Sequence, residues 1–104
     1  MIRPFHGLYA IIDSGATQEM LPYATALLEG GCRILQVRCK GWSHSDIADI
    51  SREVVLTARP YNAIIIVNDY PSIAQAVGAH GVHIGQQDGA VAEARAILGP
   101  NGII

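Results

Sequence analysis

The sequence is short of several things, and each shortage removes a class of function. Only 15% of its 104 residues are charged and the net charge is −2 at pH 7. A nucleic-acid-binding face is strongly basic, so nucleic acid is not an expected partner. No apolar run approaches the ~18 residues of a membrane span. The amino terminus, Met1-Ile2-Arg3-Pro4-Phe5-His6-Gly7, lacks the apolar core of a signal peptide, so the cytoplasm is the expected compartment. There is no G-x-G-x-x-G and no G-x-x-x-x-G-K-[ST], which leaves a Rossmann or P-loop site without support. Cysteine is limited to Cys32 and Cys39. If they lie on one strand they stand about 23 Å apart, too far to bridge, so two reduced thiols are expected. The cations beside Cys39, Arg38 and Lys40, would lower its pKa, but no base accompanies it and it is not read as a nucleophile.

What the sequence does have is apolar runs separated by helical spacing. Half of the residues are hydrophobic, too many for a disordered chain. Leu8–Ile12, Arg33–Val37, Ala63–Val67, Gly81–Ile84 and Gly102–Ile104 read as strands. They are nearly continuous in apolar residues, as in strands covered on both faces. Between them, Met20, Leu21, Ala24, Leu27 and Leu28 form one helical stripe, closed by Gly30-Gly31. Ser43 and Asp46 resemble a capping box ahead of Ile47, Ile50, Val54 and Ala58. Ser72–Val77 reads as a short helix ending at Gly78. Val91, Ala94, Ile97 and Leu98 form the last stripe, ended by Gly99-Pro100. Alternation of this kind predicts an α/β fold with parallel strands and right-handed crossovers. A complete (β/α)8 barrel needs ~250 residues. The expectation is therefore the first half of such a barrel, from the first strand to the start of the fifth, with residues 1–104 as one partial domain. Half a barrel leaves open sheet edges, and self-association through them is expected.

Polar groups cluster where these strands finish. Gln36, Arg38 and Lys40 alternate, so an extended chain carries them on one face. Such groups sit poorly in a dry core unless an anion meets them. An arginine fork and a lysine point charge suit diphosphate oxygens. Asn68-Asp69 and Asp88 follow the next two strands. Each aspartate reads equally as the N-cap of the helix after it, and His83 as a core histidine with a satisfied ring. Two aspartates after successive strands also suit one Mg2+, which takes hard oxygen ligands. Trp42, Tyr9, Tyr23, Tyr61 and His44 carry no such pattern and read as structural.

Three ordered blocks, Gln36-Val37-Arg38-Cys39-Lys40, Asn68-Asp69 and Gly78-Ala79-His80-Gly81-Val82-His83-Ile84-Gly85-Gln86-Gln87-Asp88, resemble the thiamine-phosphate synthase family, also called thiamine-phosphate pyrophosphorylase. The resemblance runs from Leu8 to Ile104. It implies a (β/α)8 barrel and a transferase of thiamine biosynthesis, joining hydroxymethylpyrimidine diphosphate to thiazole phosphate with release of pyrophosphate. Carried over by motif, Asp69 and Asp88 would hold Mg2+. Arg38, Lys40 and Asn68 would contact the diphosphate, Arg38 and Lys40 stabilising the departing charge. Gln36 and His83 would line the pyrimidine pocket. The family's later loops, which hold the thiazole phosphate, fall beyond Ile104, so these 104 residues alone are expected to be inactive. Two alternatives stand beside this reading: a thiazole tautomerase-like relative, and a non-catalytic half-barrel that only associates.

Overall fold

The computed structural model describes residues 5–17, 19–85 and 88–104. Strand β1 (Tyr9–Asp13) leads to helix α1 (Met20–Glu29), β2 (Ile34–Arg38), α2 (His44–Ala58), β3 (Ile64–Asn68), α3 (Pro71–Val77), β4 (Gly81–His83) and α4 (Asp88–Leu98). The four strands form one parallel sheet in the order β1-β2-β3-β4. The predicted α/β class and half-barrel progression stand.

Local chemistry explains the helix limits. Ser43 Oγ accepts a hydrogen bond from the Asp46 amide at 3.1 Å and starts α2. Gly78, at φ +75°, ends α3 in the left-handed conformation that glycine adopts without penalty. One expectation fails here: Asp69 does not cap α3. The cap position is Tyr70, whose side chain makes no capping hydrogen bond.

The sheet has two unlike faces. Ile12, Leu35, Val37, Ile65, Val67 and Val82 point to the helices and join Met20, Ala24, Leu28, Val54 and Ala74 in the main core. The opposite face, by strand alternation, carries Tyr9, Ile11 and Asp13 on β1, Ile34, Gln36 and Arg38 on β2, and Ile64, Ile66 and Asn68 on β3. Its lower part is a small apolar cluster of Ile34, Ile64 and Ile66 with Ile103 against it. Its β1 side is open: Ile11 is 54% exposed, and Phe5 and Tyr9 are exposed beside it.

The predicted fifth strand, Gly102–Ile104, reduces to one bridge between Ile103 and Gly81. The Val82 amide donates to the Ile103 carbonyl at 2.9 Å and the Ile103 amide to the His80 carbonyl at 3.0 Å. Among the described residues, no helix is long and apolar enough to cross a membrane.

Candidate active site

Strand β2 supplies three polar side chains, and each meets a neighbouring strand. Gln36, 2% exposed, donates from Nε2 to the Tyr9 hydroxyl at 3.0 Å. A buried amide needs such a partner. Arg38 donates from Nη1 to Asp13 Oδ2 at 2.5 Å, directly across the sheet, since the two residues are register partners. Lys40, just past the strand, donates from Nζ to Asp69 Oδ2 at the end of β3. The carboxyl edge therefore reads Asp13, Arg38, Lys40, Asp69, two cations flanked by two carboxylates, each cation paired with the carboxylate of a neighbouring strand or its following turn.

Asp13 is held by both oxygens. Its Oδ1 accepts the Gly15 amide at 2.8 Å. That amide, and then the Arg38 guanidinium, hold its carboxyl below the usual carboxylate range. Asp69 sits at φ +74°, a left-handed conformation that few side chains other than Asn and Asp accept readily. Its amide donates to the His83 carbonyl at 2.8 Å, tying the turn to β4. Asn68, 8% exposed, is the register partner of His83. His83 itself is exposed rather than a core histidine. Together with Phe5, Tyr9, Ile66, Val82, Ile103 and Ile104 it lines a hollow of about 130 Å³.

Asp88 opens α4, but its side chain lies outside the described residues, as do Gln86 and Gln87. Among the described residues no group of three or more His, Cys, Asp or Glu side chains is arranged to hold a metal. Asp69 offers one hard oxygen donor there, of the class Mg2+ takes.

Cys39 departs from its expectation. Burial and then the nearby Asp13 charge push its thiol up to about 11, against an opposing hydrogen bond from Ser14. At 4% exposure, lost solvation outweighs the cations adjacent in sequence. Cys32 is likewise a buried free thiol.

Two participants escaped the sequence reading, Tyr9 and Asp13. The period-two count that placed Gln36 and Arg38 on one face of β2 places Tyr9 and Asp13 on the same face of β1. That was the available signal. His44 is exposed, yet its ring lies 4.5 Å from the Tyr70 ring, joining the start of α2 to the residue that precedes α3.

Parallel β/α units with charged side chains gathered at the carboxyl edge are the architecture of a (β/α)8-barrel protein. The chain belongs to the thiamine monophosphate synthase family, whose sequence profile matches residues 8–104. It is 44% identical to the thiamine-phosphate synthase of Alcanivorax borkumensis over 105 aligned residues, covering 99% of this chain and 48% of that protein. The thiamine-phosphate synthase of Chlorobium phaeovibrioides is 45% identical over 91 residues, covering 85% of this chain and 44% of its own length. The solved thiamine phosphate pyrophosphorylase of Pyrococcus furiosus superposes with a TM-score of 0.83 at 32% identity, over 92% of this chain and 46% of that one. The chain spans about half the length of the curated relatives it matches.

Proposed function

We propose that this chain carries the diphosphate- and metal-holding part of a thiamine-phosphate synthase site, with residues 1–104 as one unit of the barrel. The reaction would join hydroxymethylpyrimidine diphosphate to thiazole phosphate, releasing pyrophosphate. The observation that carries the proposal is the carboxyl edge itself, where Arg38 and Lys40 stand beside Asn68 and Asp69. Two cations and an amide facing one edge suit the oxygens of a diphosphate. In this reading Arg38 and Lys40 stabilise charge as it develops on the leaving pyrophosphate, and no protein nucleophile is required. Gln36, set by Tyr9, and His83 contribute the pyrimidine side. Asp69 and Asp88 would hold Mg2+, which when bound neutralises diphosphate charge as a Lewis acid. A tautomerase acting on the thiazole alone would have no use for Arg38 and Lys40 together.

The compartment proposed is the cytoplasm and the partners are small molecules, without nucleic acid or membrane. Self-association is proposed as well, supported by the exposed Phe5, Tyr9 and Ile11. Sedimentation at low micromolar concentration checks it, and a monodisperse folded monomer would refute it.

A chimaera tests the catalytic reading. Residues 1–104 followed by the remaining length of the Alcanivorax relative should make thiamine phosphate from both substrates and Mg2+, whereas the 104 residues alone should not. Arg38→Ala in that chimaera should lower turnover by ~10²–10³, the usual cost of losing one electrostatic donor. A folded but inert chimaera, or an Arg38→Ala variant with unchanged turnover, would overturn the assignment.

A further inference from the structure

We infer that Lys40 and Asp69 form an exchangeable ion pair: the ammonium occupies the carboxylate until Mg2+ takes it, and then turns to the diphosphate. The inference rests on the roles proposed above for these two residues. It adds that metal and diphosphate binding are coupled through a single change of partner.

The two edge ion pairs are built differently. Asp13 and Arg38 lie opposite each other on adjacent strands, and the second Asp13 oxygen is taken by the Gly15 amide. That pair is fixed at both ends. In the other pair only the backbone that carries the carboxylate is fixed. Asp69 is held at φ +74° with its amide on the His83 carbonyl, and the Tyr70 amide next to it donates to the Asn68 carbonyl at 3.0 Å. Its carboxylate cannot leave the edge by a small backbone shift. Lys40 lies beyond the last residue of β2, and its side chain is 54% exposed. A lysine is a point charge on a flexible four-carbon stem, without the fork geometry that locks an arginine in place. Lys40 is thus the partner able to move.

Charge decides the direction of exchange. A half-exposed ion pair contributes little and is given up readily. A divalent ion attracts the carboxylate more strongly than an ammonium does. Metal alone must still turn the ammonium out into water. Diphosphate alone meets an ammonium already engaged, beside an unfavourable carboxylate charge. When both arrive, each removes the obstacle to the other, which is positive coupling between the two sites.

Lys40 is the only lysine in the sequence, so protein labelled with 13C at lysine Cε gives one lysine signal. The wild-type signal should differ from that of Asp69→Asn, a change that keeps a residue tolerant of the left-handed backbone. Mg2+ alone should move the wild-type signal to the Asp69→Asn position. Mg2+ with inorganic pyrophosphate should move it to a third position. Calorimetry on the same samples measures binding independently. If Mg2+ binds and the lysine signal stays put, or if wild type and Asp69→Asn share one signal from the start, the exchange is wrong while the site assignment survives. If neither Mg2+ nor its pyrophosphate complex binds, the site assignment fails and the exchange with it.

Discussion

Gly81→Ala should destabilise the sheet at its β4 edge. A Cβ built on Gly81 stands 2.1 Å from the Ile103 carbonyl oxygen and 2.7 Å from the Ile103 Cβ, far inside contact distance. The nearest atom is backbone, so no side-chain rotation relieves the clash. The segment carrying Ile103 has to move away from β4. That breaks two backbone hydrogen bonds, Val82 amide to Ile103 carbonyl and Ile103 amide to His80 carbonyl. At roughly 0.5–1.5 kcal/mol net each, the loss is about 1–3 kcal/mol. Ile103 also leaves the Ile34, Ile64 and Ile66 cluster, which adds to the loss. Against this, alanine restricts the unfolded chain and returns ~0.4–1 kcal/mol. The clash wins, and net destabilisation of about 1–2 kcal/mol is expected. Urea unfolding followed by circular dichroism reads it as a lower midpoint with little change in slope. A midpoint equal to or above wild type would show that Ile103 does not contribute to the folded sheet.

Three further outcomes are expected. Ser51, 0% exposed, has the one buried side-chain polar atom without a hydrogen-bond partner among the described residues, so Ser51→Ala should stabilise by ~1–3 kcal/mol in the same urea assay, and destabilisation would show that the hydroxyl is satisfied in solution. Asp13 has a lowered pKa, so its contribution is present above its unfolded value of 3.8 and fades as pH falls through the lower folded value; any stability difference between wild type and Asp13→Asn should be full at neutral pH and vanish under strong acid, and a difference that grows on acidification would contradict the ion pair. The Cys39 thiol, pushed up to about 11, should resist iodoacetamide in the folded protein at pH 8 and react only once the chain is unfolded, as followed by mass spectrometry; rapid modification of the native state would refute its burial.

Most of the fold was legible because buried parallel strands announce themselves as apolar runs. The first three strands are nonetheless each displaced by one residue toward the carboxyl end relative to expectation: Tyr9–Asp13 for Leu8–Ile12, Ile34–Arg38 for Arg33–Val37, Ile64–Asn68 for Ala63–Val67. The reason is chemical. Hydropathy stops at the last apolar side chain, while the hydrogen-bonded ladder continues through Asp13, Arg38 and Asn68, the polar groups the edge displays. The site was legible one strand at a time. The pairings Asp13–Arg38, Gln36–Tyr9 and Lys40–Asp69 were not, because they depend on register between strands about 25 to 29 residues apart in sequence. Cys39 misled for a related cause, since neighbours in sequence supplied the charges while the fold supplied the burial. The N-cap reading of Asp69 misses by one position, because α3 begins at Pro71 and Tyr70 holds the cap.

The left-handed turn at Asp69 narrows the substitutions open to this position in the history of the chain. Asparagine and glycine suit such a backbone, and branched or bulky residues strain it. Selection for an acid and selection for a backbone shape therefore draw on nearly the same small set of residues. A lineage that lost the need for a carboxylate here would drift first to asparagine or glycine. It would keep the geometry of the turn after the charge had gone, leaving the chemistry a single substitution away from return.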